Sequence, residues 1–119
     1  MKVARPSQVA REPYLNDIFT GPGVMRQPVA TGSLDYNVNI IAFSKGTRTR
    51  FHTHESEQVL IVTSGVGIVA TETEEHRVTT GDVILVPAGE THRHGATLDS
   101  EFAHISLTRT GSETRIVGE

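Results

Sequence analysis

Six histidines stand out in a chain of 119 residues that has neither cysteine nor tryptophan: His52, His54, His76, His92, His94 and His104. Neutral imidazole is the commonest metal ligand in proteins, and the imidazole ring is also the side chain best suited to moving protons near neutral pH. His52 and His54 form one H-x-H pair, and His92 and His94 form a second. In an extended strand, residues two apart project from the same face, so each pair presents two imidazoles to one side. Gln58 lies an even number of residues beyond His54 and returns to that side, whereas the adjacent Glu57 falls on the other. A single such pair is as readily a chance feature of a surface strand. Two pairs, each beside a turn, converge if their strands close into a barrel. A mixed nitrogen and oxygen donor set of this kind suits manganese, iron, nickel, cobalt or zinc. His76 sits among Glu74, Glu75 and Arg77 and reads as a solvated hairpin residue.

The elements that must position these groups are short and extended. Residues 36–43 (YNVNIIAF), 58–63 (QVLIVT), 65–72 (GVGIVATE), 76–79 (HRVT), 82–87 (DVILVP) and 100–108 (SEFAHISLT) alternate with turn residues, and 114–117 (TRIV) is a weaker candidate. Segments 65–72 and 76–79 read as a hairpin, and Ser64-Gly65 as the turn that ends the strand before it. No stretch shows a capped helical period. Residues 5–20 have room for a turn of helix, limited by Pro6 and Pro13. Many short strands at regular spacing imply an antiparallel sandwich or barrel with an interior wide enough for one small ligand.

Alternation divides two of the strands by face. Asn37, Asn39, Ile41 and Phe43 share one side of residues 36–43, a face that either lines a polar pocket or meets water. Phe102, His104, Ser106 and Thr108 share one side of 100–108. There His104 is either a hydrogen-bonded wall residue or a proton-transfer group, and the same pair of readings holds for His94. Arg48 and Arg50 read as exposed, with an anionic ligand as the alternative partner.

Bulk properties narrow the class. The formal net charge is −3, without the basic face expected of a nucleic-acid binder. No apolar run approaches the length of a membrane helix, and residues 1–19 lack the hydrophobic centre of a signal peptide. The expectation is one domain over residues 1–119, cytoplasmic, with partners among small molecules and not membranes.

The glycine and proline framing is more specific. Gly46 is followed after five residues by His52-x-His54, after three more by Gln58 and after six more by Gly65. Gly81 is followed after five residues by Pro87-x-Gly89 and after two more by His92. This pattern resembles the two signature motifs of the cupin superfamily with every spacing intact. Gln58 replaces the usual glutamate, and Ala96 replaces the asparagine of the second motif. The phrases HTHESEQVLIVTSGVG, GDVILVPAGETHRHGAT and EFAHISL are similar to small cupins associated with carboxymuconolactone decarboxylase and to the bacterial cupin hydroxynitrile lyases.

The resemblance implies an all-β fold, an antiparallel double-stranded β-helix or jelly-roll barrel, with its core at 36–108 and an N-terminal strand segment at 1–30. It implies one divalent ion, manganese foremost, on His52, His54, Gln58 and His92, and proton-transfer roles for His94 and His104. Asn39, Ile41, Phe43, Phe102 and Thr108 are the expected substrate-pocket residues. Arg93 stands where relatives often have Trp, and the TRTGSETRIVGE ending lacks their acidic, aromatic segment. The expected activity is lyase-like, with a Mn- or Fe-dependent dioxygenase and a non-catalytic metabolite-binding module as alternatives. A homodimer is expected, because the strand-like piece 24–30 has no obvious partner in the barrel core and small cupins commonly pair through such strands.

Overall fold

The computed structural model describes residues 1–119. A single 3-10 turn at Pro6–Gln8 precedes ten strands: β1 (Glu12–Pro13), β2 (Val24–Val29), β3 (Tyr36–Phe43), β4 (Phe51–His54), β5 (Gln58–Ala70), β6 (Glu75–Thr79), β7 (Val83–Val86), β8 (Arg93–Ala96), β9 (Phe102–Arg109) and β10 (Thr114–Gly118). All pairings are antiparallel. One layer runs β1-β2-β3-β9-β5, with β7 on the far side of the first half of β5. The second half of β5 pairs with β6 and β8. The β10–β4 ribbon joins β8 through paired hydrogen bonds between His52 and His92. The sheet thus curls into the expected jelly-roll barrel.

β5 corrects the reading of 58–63 and 65–72 as two strands. It is one strand that passes from one layer to the other, with a register shift between Val62 and Ser64. Gly65 makes the passage possible. Its φ of 74° lies in the left-handed region, and a Cβ there would run into the carbonyl of Glu101. Gly67 then lets the Phe102 ring lie flat against the strand, where a Cβ would come within 2.6 Å of three ring carbons.

Segment 24–30 is corrected as well. It has a partner: β2 pairs with β3 from Val24↔Phe43 to Val29↔Val38. Pro28 is tolerated because this strand lies near the edge of the layer. Gln27, buried on β2, donates to the carbonyls of Pro6 and Val9 and ties the N-terminal turn over the strand.

Register converts the alternation of β3, β9 and β5 into layers that grade from apolar to polar. Phe43 pairs with Phe102 at the closed end, their rings stacked at 6.0 Å. Next come Ile41, His104 and Val62, then Asn39, Ser106 and Leu60, then Asn37, Thr108 and Gln58. Ile18, Phe19, Val24, Val69 and Val78 complete the apolar core around the first layers. The polar layers face an open interior.

Candidate metal centre

β4 carries His52 and His54, β5 opens with Gln58, and His92 immediately precedes β8. The barrel brings the ligand-capable nitrogens of His52, His54 and His92 within 4.8 Å of one another. Each ring is oriented through its other nitrogen. His52 Nδ1 donates to the Arg50 carbonyl at 2.8 Å and His92 Nδ1 to the Glu90 carbonyl at 2.9 Å. His54 Nδ1 lies 2.9 Å from Thr114 Oγ1. A carbonyl only accepts, so the proton of each neutral ring is on Nδ1 at His52 and His92, and Nε2 is left as a lone pair. Histidines that bind metals are usually held in this way.

Burial keeps these rings neutral. His52 is pushed down from 6.5 to about 3, first by desolvation and then by the neighbouring His92. His54 falls to about 4 for the same two reasons, and desolvation also lowers His92. His54 Nε2 is buried without a hydrogen-bond partner. The Gln58 amide donates to Ser106 Oγ at 2.9 Å, which turns its oxygen to within 3.0 Å of His92 Nε2. Two acceptors facing each other at this distance, beside an orphaned nitrogen, suit a cation held in common. The donor set therefore fits a divalent ion. A half-turn of the amide satisfies His92 and Ser106 without one, because NH2 then donates to Nε2 and the serine hydroxyl donates to Oε1.

His94 and His104 form a second unit. His104 Nε2 is 3.0 Å from His94 Nδ1, and both rings are buried, with His104 fully enclosed. Desolvation drives His94 well below its ordinary value, reinforced by His104, and lowers His104 to about 4. The outer nitrogens, His94 Nε2 and His104 Nδ1, are buried without partners. The His94 ring is nearly parallel to His92 at 5.7 Å and lies 5.5 Å from His52. Its backbone is fixed by Thr49, whose hydroxyl accepts from the His94 amide.

A cavity of about 230 Å³ opens onto His52, His54, Gln58, His94 and His104. Of the expected pocket residues, Asn39, Ile41, Phe43 and Thr108 line it. Phe102 does not. It stands one layer behind, 1% exposed, and backs Phe43 and His104. A smaller apolar recess of about 150 Å³, walled by Leu60, Val69, Ile84 and Val86, lies against His92 and His94. His76 is exposed beside Glu74. Arg48 and Arg50 do not line the cavity and bind Glu119 instead.

Ser106 and Thr114 emerge as functional neighbours that the sequence did not single out. Ser106 shares a face with His104, a signal within reach. Thr114 is 60 residues from the histidine it touches and has no such signal.

A jelly-roll barrel with three converging imidazoles that could hold a metal ion defines the class of protein. The chain belongs to the cupin domain family (Cupin_2), whose model matches residues 39–107. It is 39% identical over 70 residues to an (R)-mandelonitrile lyase of Granulicella tundricola, a match covering 56% of this chain and 52% of that protein. The chain thus matches about half the length of this curated relative. Among solved structures it resembles a cupin-like protein of Thermotoga maritima, with 29% identity, a TM-score of 0.85 and coverage of 94% and 89% of the two chains. It also shares its fold with the polyketide cyclase RemF of Streptomyces resistomycificus, at 18% identity, a TM-score of 0.87 and coverage of 100% and 87%.

Proposed function

We propose that this cupin is a metal-dependent carbon–carbon lyase acting on a small hydroxylated substrate, with the ion on His52, His54, Gln58 and His92. Manganese suits the nitrogen and oxygen donor set. An ion on these four neutral ligands would supply Lewis acidity undiminished by any ligand charge. The cavity of about 230 Å³ has room for a small molecule beside the histidines.

The observation that carries the reading is the His94–His104 pair. Two neutral rings joined by one hydrogen bond hold two protons, one in the bridge and one on an outer nitrogen. Shifting both along the pair moves a proton from one outer nitrogen to the other without changing net charge. A buried pair of this kind can take a proton from a substrate hydroxyl at one end and return one to a departing carbanion. For a cyanohydrin, the carbon–cyanide bond breaks, its electrons leave on cyanide, the hydroxyl proton passes to an imidazole, and cyanide leaves protonated beside the aldehyde. The resemblance to the mandelonitrile lyase supports this substrate class.

The test is aldehyde release from mandelonitrile by Mn2+-loaded protein, followed spectrophotometrically beside an oxygen electrode. Aldehyde without oxygen uptake is expected. Oxygen consumption would point to a dioxygenase, and neither signal on a panel of cyanohydrins to a binding module.

We further propose that two chains pair through the outer face of the larger layer. Val59 and Ile61 on β5, Val83 and Leu85 on β7, and Ile105 and Leu107 on β9 lie side by side there without an intervening charge. Val83 is 66% exposed and Leu85 59%. An exposed apolar face of this kind can meet a second copy of itself about a two-fold axis. Leu85→Lys should turn a dimer into a monomer in light scattering at micromolar concentration. A wild-type monomer would contradict the pairing.

A further inference from the structure

His52 and His92 are oriented by carbonyls of their own local backbone, two residues back in each case. His54 is different, since its Nδ1 meets only the hydroxyl of Thr114 on β10. We infer that Thr114 is a positioning residue that sets the tautomer of His54, so that metal affinity depends on the docking of β10. The inference rests on the proposed metal site and extends it to a strand outside the family-matched region, which ends at residue 107.

A threonine hydroxyl either donates or accepts, and the surroundings of the ring set the direction of this bond. His54 Nε2 is buried and has no partner. A proton there would have no acceptor within hydrogen-bond distance, since the nearby Gln58 oxygen is turned to His92 Nε2, and buried N–H groups are normally paired. The same proton on Nδ1 is donated to Thr114 Oγ1, and Nε2 becomes a lone pair aimed among the other donors. Thr114 therefore accepts, and His54 is held ready for a cation.

β10 is fixed at both ends, which makes the hydroxyl a defined partner. At its start, Glu113 accepts from the Glu55 amide through its carbonyl, and its own amide donates to Glu55 Oε1. In the middle, Thr114 and Ile116 lie opposite His54 and His52. Beyond its end, Arg48 and Arg93 both donate to the Glu119 main-chain oxygen, at 2.9 and 3.1 Å, and Arg50 pairs with the Glu119 carboxylate at 3.0 Å. Every residue of β10 is nevertheless exposed, so nothing of the apolar core depends on it. The strand is a strap paired along β4, and its side-chain hydrogen bond to the centre is the Thr114 hydroxyl.

The experiment titrates Mn2+ calorimetrically into chelator-stripped wild type, Thr114→Val and Thr114→Ser, and observes the His54 ring Nδ1 proton by NMR in the metal-free proteins. Valine keeps the shape of the side chain and removes the acceptor. Affinity should fall about 10–100-fold in Thr114→Val and return in Thr114→Ser, as expected for the partner of a metal-bound histidine. The Nδ1 proton should be visible in wild type and in the serine variant and lost in the valine variant. Melting of metal-free Thr114→Val should fall slightly below wild type, because a ring proton loses its acceptor, and Thr114→Ser should melt like wild type. Wild-type affinity in Thr114→Val would overturn the inference, as would an Nδ1 proton that survives the substitution. If wild type itself binds no Mn2+, the metal reading fails. The NMR signal then judges Thr114 separately, its absence from wild type overturning the tautomer assignment.

Discussion

Gln58 illustrates how much one atom decides at this site. An amide offers an oxygen to a cation and, turned half round, an NH2 to His92, so the Gln58–His92 contact is satisfied with or without an ion, while His54 Nε2 lacks a partner without one. A carboxylate cannot donate. In Gln58→Glu the metal-free site would place a negative charge against His92 Nε2 and draw a proton onto the pair. Metal binding would then expel that proton. Wild type should bind Mn2+ with almost no proton release at pH 7.5, and Gln58→Glu should release up to about one proton while binding as tightly or more so. Calorimetry in two buffers of different ionisation enthalpy measures the difference; equal release would place Gln58 outside the ligand set. Turnover should change as well, because the added charge weakens the ion's pull on a substrate oxygen. The histidines divide in the same way. His52→Ala and His92→Ala should strip the metal. His94→Ala and His104→Ala should retain it while turnover falls about 10²–10⁴-fold. Elemental analysis beside an activity assay checks all four, and loss of metal from the second pair would make those residues ligands.

At the scale of elements, the glycines of β5 carry the architecture. Gly65→Ala introduces a side chain at a φ of 74° and against the Glu101 carbonyl, with a cost of at least about 2 kcal/mol. Urea unfolding should show it as a lower midpoint with an unchanged slope, and a neutral result would mean that the bend relaxes freely. This is also where sequence and structure part. Strand β3 was legible to the residue because a run rich in β-branched and aromatic residues is bounded by polar turn residues at both ends. Gly65 misled because a sharp strand bend and a true turn use the same residue for the same conformational reason. The partner of β2 was not legible, since pairing between segments is set by the closure of the whole layer and not by local pattern. Spacing alone brought out both H-x-H pairs, because a period of two fixes a face. The roles of Ser106 and Thr114 depend on cross-strand register, which no local pattern records. Phe102 shares its face with His104, but depth along the barrel axis decides that it backs the pocket without lining it.

For the molecule as a whole, four buried imidazoles and the half-buried His54 make the metal-free fold sensitive to acid. Above pH 6.5 folded and unfolded chains both carry neutral rings, and these groups add no pH dependence. Below it the unfolded chain takes up protons that the folded one refuses until about pH 3 at His52 and about pH 4 at His54 and His104. Stability should therefore fall as pH drops through this window, by about 1.4 kcal/mol per pH unit for each such ring. Urea midpoints of chelator-stripped protein at pH 7, 6 and 5 would show it, and a flat profile would contradict the burial of the cluster. The proposed chemistry turns on a single ion in one place, and element-specific anomalous scattering from a crystal equilibrated with Mn2+ tests that most directly. One peak per chain is predicted, in contact with His52, His54, Gln58 and His92 and not with His94 or His104. A peak elsewhere, a peak bound by His94, or none at full Mn2+ would contradict it.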